Sequence, residues 1–114
     1  MPTKVDTLPA FRKRTRRLRR RFPSIQLDLR PLFQRLQNDE RPGDRIPRVG
    51  YPVYKVRLPN RAARRGKSGG FRIIYYVQFS DRVTLLTIYS KTDESDISLR
   101  ELQELAREAA AAIG

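Results

Sequence analysis

The segment that most limits what this chain can fold into is FRIIYYVQFSDRVTLLTIYSK, residues 71–91. It holds two strand-length runs rich in β-branched and aromatic residues, joined by the short polar link around Ser80-Asp81. Such runs favour a pleated sheet, and a link this short leaves only an antiparallel hairpin. The first run alternates Phe71, Ile73, Tyr75, Val77 and Phe79 against Arg72, Ile74, Tyr76 and Gln78. The second, 82–91, is apolar on both sides, as a central strand covered on both faces should be. A two-residue turn at Ser80-Asp81 sets Arg72 opposite Tyr89, whereas a three-residue turn sends Tyr89 to the other face.

The remaining elements follow from pattern. Residues 51–58 form a third strand, with Tyr54, Val56 and Leu58 on one side and Val53, Lys55 and Arg57 on the other. Residues 4–8 form a short first strand, and NDERPGDRIPRVG (38–50) is a loop by its Pro, Gly, Asp and Asn content. From Ala10, Phe11, Thr15, Leu18 and Phe22 line one stripe of a helix that Pro23 ends. Leu29, Leu32, Phe33 and Leu36 give a second helix. Asp28 or Ser24 can cap it, and Pro31, tolerated near a first turn, favours Asp28. Ser98-Leu99-Arg100-Glu101 has the form of a capping box opening a final helix, whose apolar face is Leu99, Leu102, Leu105, Ala106, Ala109 and Ile113. The predicted architecture is α+β, in the order β-α-α-β-β-β-α. A small antiparallel sheet carries two N-terminal helices on one face and basic residues on the other, as one domain over residues 1–114.

Charge is the outlying feature of composition. There are 25 Lys and Arg against 12 Asp and Glu, a net charge of +13. Residues 1–80 hold 21 of the bases and 5 of the acids, so the excess lies in the first two thirds. That balance favours a polyanionic partner and opposes self-association. The first helix concentrates it, with eight cations in the ten residues from Arg12 to Arg21, Arg16, Arg17 and Arg20 among them. A helix so charged repels itself unless its stripe and an external anion hold it. It reads as a docking face for an anionic partner, or simply as a solvated face. There is no Cys and no His, which excludes disulfides, thiolate metal sites and imidazole chemistry, and no metal or cofactor is called for. No apolar run approaches a membrane span of about 20 residues, and the N-terminus lacks an apolar signal core. The expectation is a cytoplasmic protein with no membrane partner.

Residues 61–77, RAARRGKSGGFRIIYYV, set Arg61, Arg64, Arg65 and Lys67 beside three glycines and then place Arg72 inside an apolar strand. Side chains two apart on a strand share a face. Lys55 and Arg57 therefore project together, and Arg72 joins them on the uncovered side if both strands turn their apolar faces to the helices. The 61–70 loop would rim that side. Guanidinium groups bind phosphodiester oxygens bidentately, and a lysine among other cations gives up its proton more readily. Cleavage of RNA by its own 2′-OH needs a base, stabilisation of the phosphorane and help for the leaving 5′-oxygen. Lys and Arg can fill these roles, and Tyr76 or Tyr89 can stack on a base or hydrogen-bond. The plainer reading makes Lys55 and Arg57 ordinary solvent-face residues and the tyrosines packing residues. Gly66-Lys67-Ser68 has the letters of a P-loop tail, but Arg61 stands at the earlier glycine position and a strand follows, so nucleotide hydrolysis is discarded.

The stretches YKVRL, GKSGGFRIIYYV and LLTIYSKTDESDIS resemble the RelE/ParE superfamily of bacterial toxins, most closely its RelE/HigB-like branch, over roughly residues 5–110. The resemblance implies the toxin of a type II toxin–antitoxin pair, monomeric when free and hetero-oligomeric with its antitoxin. RelE-like members cut mRNA in the ribosomal A site without metal. Lys55 and Arg57 fall on the family's second-strand basic pair, and Arg72 on the arginine taken to bind the reacting phosphate. Family members also carry an arginine after the last strand and a tyrosine further on. This chain reads KTDESDISL there, with Lys91 and Tyr89 as the nearest substitutes. The leading expectation is a ribosome-dependent endoribonuclease. Arg57 and Arg72 hold the phosphate, Lys55 acts as base or electrostatic stabiliser, Arg64, Arg65 and Lys67 contact RNA, and Arg16, Arg17 and Arg20 anchor to ribosomal RNA or to the antitoxin. The alternatives are a ParE-like gyrase inhibitor that cleaves nothing, and a non-enzymatic RNA-binding protein.

Overall fold

A computed structural model describes residues 2–59, 70–93 and 96–112. The chain runs β1 (Lys4–Thr7), α1 (Pro9–Arg21), α2 (Ile25–Gln37), β2 (Asp44–Arg45), β3 (Val53–Leu58), β4 (Phe71–Phe79), β5 (Arg82–Ser90) and α3 (Leu99–Ala111). The expected hairpin is β4–β5, closed by Ser80-Asp81 with Phe79 opposite Arg82. Its register slips twice. Gln78 is the extra residue on β4, between the Val77–Val83 and Phe79–Arg82 pairs, and Leu86 is the extra residue on β5, between the Tyr75–Leu85 and Ile74–Thr87 pairs. The two slips cancel, so Arg72 stands opposite Tyr89.

The α+β class and the element order agree with the pattern, but the sheet is mixed rather than antiparallel. It has five strands in the order β1-β5-β4-β3-β2, and β1 runs parallel to β5, with Lys4 beside Arg82. No hairpin joins those two strands, so nothing in the local chain demands an antiparallel pair. The loop read at 38–50 contains the two-residue strand β2, which pairs Asp44 with Lys55. Gly43 makes this approach possible. Its φ is +90°, and a Cβ there would lie 2.2 Å from the Lys55 carbonyl oxygen.

α1 and α2 cover one face of the sheet. Phe11, Leu18, Ile25, Leu29, Leu32 and Leu36 pack there against Val56, Phe71, Ile73, Tyr75, Leu85 and Ile88. Pro9 occupies the first turn of α1, where its missing N–H costs nothing, and three arginines in the last turn complement the helix dipole. Phe22 caps the packing edge-on to Phe71, with centroids 5.4 Å apart. α2 starts one turn earlier than the pattern suggested. Ser24, not Asp28, is the N-cap, its carbonyl accepting from the Leu27 and Asp28 N–H groups. The reason is Ile25, fully buried, which extends the apolar stripe backwards by a turn. Pro31 therefore lies inside the helix, on its exposed side. The carbonyl it leaves without a helical donor belongs to Leu27, itself 55% exposed, so water can serve it. Arg41 ties three ends together, donating to the Leu36 carbonyl, to Thr3 Oγ1 and to the Ser80 carbonyl.

The other face is not open. α3 lies on it and buries Leu102, Ala106 and Ala109 against Val53, Ile74, Tyr76 and Leu86. The small alanines let the helix come close to the sheet. Its start is capped as expected, Ser98 Oγ accepting from the Glu101 N–H at 3.1 Å. Leu99 departs from the predicted apolar face and is 41% exposed, because it sits at the helix mouth rather than over the sheet. Ile113 lies outside the described residues. No described helix is long and apolar enough to cross a membrane.

Candidate functional site

The β3–β4 ladder sets Arg57 opposite Arg72 and Lys55 opposite Ile74. The β4–β5 ladder then sets Arg72 opposite Tyr89. Arg57, Arg72 and Tyr89 thus form one row across three strands, with Lys55 two residues along from Arg57 on the same face. The sequence placed Lys55, Arg57 and Arg72 together, and the structure brings them together. What differs is the cover: α3 occupies the neighbouring half of the face, so the row lies beside its start and not on a bare sheet.

The residues of the row differ in exposure. Arg57 is exposed, the Lys55 side chain is 39% exposed, and Arg72 is half-buried. Arg72 Nη1 is buried and has no hydrogen-bond acceptor among the described residues. A guanidinium N–H held away from water in this way favours an anionic oxygen. Gly70 lets the two strands close at this point: a Cβ there would lie 2.5 Å from the Leu58 carbonyl oxygen and 3.4 Å from Arg72 Nη1. Tyr89 is only 3% exposed and Tyr76 6%, so neither ring offers a free face for stacking. Tyr76 instead meets Tyr51 edge-on at 5.7 Å, and burial, with Tyr51 nearby, raises its phenol pKa.

The structure adds one group that the sequence reading missed. Asp96 reaches onto the cationic face. Its Oδ1 accepts from the Ile97 N–H at 2.9 Å and from the Tyr89 hydroxyl at 3.1 Å, and lies 3.5 Å from Lys55 Nζ. The Ile97 N–H, followed by the Tyr89 hydroxyl and Lys55, holds its carboxyl below the usual range against an opposing contribution from burial. In the sequence Asp96 is one of several acids in KTDESDIS, two residues before the helix cap Ser98. Only that spacing hinted that it would be pinned near the sheet.

The other candidates are dispersed. Lys91 is exposed just past β5, its N–H bonded to the Gly70 carbonyl at 3.0 Å. Arg64, Arg65 and Lys67 lie outside the described residues. Arg16, Arg17 and Arg20 are exposed along α1. α1 is fastened just past the end of β5 that carries Tyr89, by Arg21, which meets Asp93 through both guanidinium nitrogens at 2.9 and 3.1 Å, and more loosely to α3 by Arg14 and Glu101 at 3.7 Å. A groove of about 240 Å³, lined by Arg14, Arg17, Tyr89 and Asp93 among others, joins the arginine face to β5. A second groove, of about 530 Å³, lies between α1 and α2 over Phe11 and Phe33, on the opposite side of the sheet from Lys55.

Residues 33–113 match the family model of the RelE toxin of the RelE/RelB toxin–antitoxin system. No curated protein matches the chain. The matched stretch contains Lys55, Arg57, Arg72, Tyr89 and Asp96, while the arginine-rich α1 lies before it. It spans well over half of the chain, and with the α+β architecture built around the cation row it shows that the chain belongs to the RelE toxin family.

Proposed function

We propose that this toxin cleaves mRNA on the ribosome, by a reaction that uses the RNA's own 2′-hydroxyl and no metal. The observation that carries the reading is the pairing of Arg57 with Arg72 on adjacent strands, with Arg72 Nη1 buried and lacking an acceptor among the described residues. A phosphodiester seated on this row gains charge-assisted hydrogen bonds that strengthen as negative charge builds on the phosphorane. The 2′-oxygen bonds to phosphorus, its proton passes to a base, and the P–O5′ bond breaks as the 5′-oxygen takes up a proton. The products are a 2′,3′-cyclic phosphate and a 5′-hydroxyl. Lys55 adds a third cation beside the phosphate, and Tyr89 and Lys91 are the nearest further proton-bearing groups. Arg64, Arg65 and Lys67 serve the RNA backbone, and Arg16, Arg17 and Arg20 anchor the toxin to ribosomal RNA through non-specific phosphate contacts.

Primer extension on a defined mRNA in a purified translation system tests this reading, run with and without ribosomes for wild type and Arg72→Ala. The expected result is ribosome-dependent cuts that fall by about 10²-fold or more in the variant, the scale for removing a donor to a developing oxyanion. A folded wild-type protein that makes no cuts overturns the reading, and inhibition of gyrase supercoiling by that protein would point to the non-nuclease alternative.

A further inference from the structure

Asp96 places a negative charge on a face otherwise built to receive phosphate. Tyr89 stands on β5 and Lys55 on β3, with Arg72's strand between them. A single oxygen, Asp96 Oδ1, gathers a donor from each side of that strand, the Tyr89 hydroxyl at 3.1 Å and the Lys55 ammonium at 3.5 Å. The Ile97 N–H at 2.9 Å fixes the carboxylate itself, and the Ser98 cap beside it fixes the start of α3.

Burial does not force this arrangement, because the Asp96 side chain is 63% exposed. Nor does a need for stability account for it. Exposed ion pairs stabilise little, and a chain with 25 cations offers an acid many partners. For RNA affinity alone, an anion here is unfavourable, since it repels the phosphate that Arg57 and Arg72 attract. What it supplies is geometry. Lysine is a flexible point charge whose ammonium has no preferred direction, and Asp96 restricts it to one place beside the row.

We infer that Asp96 is a positioning residue for RNA cleavage, holding the Lys55 ammonium and the Tyr89 hydroxyl against the row of Arg57 and Arg72. The inference rests on the nuclease reading given above. Its consequence is that affinity and rate part company. Removing the carboxylate leaves RNA binding equal or tighter, because a repulsive charge has gone, and slows the chemical step, because two donors are no longer placed.

The test is cleavage of mRNA on programmed ribosomes with kcat and KM separated, for wild type, Asp96→Ala and Asp96→Asn, alongside thermal melts. Asp96→Ala is expected to lose about 10- to 100-fold in kcat, the scale of a small misplacement of a reacting group, with KM unchanged or lower and a melting temperature lowered only slightly, the protein staying fully folded at the assay temperature. Asp96→Asn keeps an acceptor for the Tyr89 hydroxyl and the Ile97 N–H and recovers part of the rate. In a Lys55→Ala, Tyr89→Phe background, Asp96→Ala has no further effect, since it acts only through those two groups. A kcat at or above wild type in Asp96→Ala overturns the inference and makes the acid a competitor of phosphate. Rates that fall in step with melting temperature in both variants overturn it in favour of a structural role. A wild type that makes no cuts removes the nuclease reading and this inference with it, which is distinguishable from a wild type that cuts beside variants that match it.

Discussion

Replacing Gly70 with Ala tests how closely β3 and β4 must approach for the cation row to work. Gly70 immediately precedes β4. Its φ lies outside the left-handed region, so an alanine there meets no backbone strain, only lack of space. The added Cβ would lie 2.5 Å from the Leu58 carbonyl oxygen, where an ordinary carbon–oxygen approach is about 3.3 Å or more. The strands must part by about 0.8 Å. The obstacle is backbone and cannot swing aside, and Gly70 is held from the other side by the Lys91 N–H on its carbonyl. Overpacking of this kind costs about 1–3 kcal/mol. The opposing contribution is the smaller entropy of the unfolded chain, which favours Ala by about 0.4–1 kcal/mol. The net expectation is destabilisation by about 1–2 kcal/mol, which a domain of ordinary stability, about 5–15 kcal/mol, survives folded. Arg57 adjoins Leu58 and Arg72 is two residues beyond Gly70, so the parting separates the two guanidinium groups themselves. A displacement approaching 1 Å lowers cleavage by about 10²-fold. Urea unfolding at matched m-values gives the first number, and primer extension on programmed ribosomes the second. A variant as stable as wild type, or more stable, refutes the tight contact. A destabilised variant that cleaves normally refutes the claim that the Arg57–Arg72 spacing matters.

The triple change Arg16→Gln, Arg17→Gln, Arg20→Gln removes exposed charge from α1. Ribosomal RNA affinity should fall, with a log–log salt slope shallower by about two to three and a melting temperature that does not drop; an unchanged slope in filter binding across salt concentrations would sink the anchoring role. The Asp96 contacts have a defined pH window. The folded carboxyl titrates below the ordinary aspartate value of about 3.9, so the stability it contributes is complete above that value and is lost as pH falls through the folded one. Urea midpoints of wild type and Asp96→Asn should therefore differ by a constant amount from pH 5 to 8 and converge below about pH 4, and a gap that widens on acidification would contradict the contacts described.

Much of this was legible because strand and helix periods are visible in the residues themselves. The alternation in 51–58 and 71–79 assigned Lys55, Arg57 and Arg72 to one face, and the stripes of Phe11–Leu18 and Leu29–Leu36 assigned two helices to the other. The placement of α3 was harder. Its alanines mark a helix that packs closely, but nothing in its own pattern says which face of a sheet receives it, so the cationic side looks bare in the sequence. The parallel docking of β1 was hidden for a similar reason, since no turn connects it to β5. The start of α2 is ambiguous in the sequence because Pro31 argues for a later start and Ile25 for an earlier one. Burial of the isoleucine decided the matter, and the proline was tolerated on the exposed side. Asp96 was invisible because its partners come from β3 and β5, more than 40 and 7 residues away respectively.

An unbroken ladder from a two-residue turn sets Arg72 opposite Tyr89, yet the ladder is broken twice, and the second break bears on the site. Counting strictly from Leu85, which packs against α1 and α2, alternation would send Thr87 and Tyr89 to that same side and Ile88 to the other. The extra residue at Leu86 reverses this. Ile88 enters the core beneath α1 and α2, and Tyr89 turns to the side of α3. A bulge leaves one residue unpaired and re-aims everything beyond it. Here the residue it re-aims is the one whose hydroxyl meets Asp96 and whose backbone faces Arg72 across the ladder. The slip at Gln78 alone would have set Arg72 opposite Ile88, an apolar partner for a guanidinium that needs an anion. Because β5 is apolar on both sides, its sequence bears either arrangement equally well. The choice is made by packing: with the extra residue at Leu86, Leu86 is buried in the cluster beneath α3 and Ile88 in the cluster beneath α1 and α2.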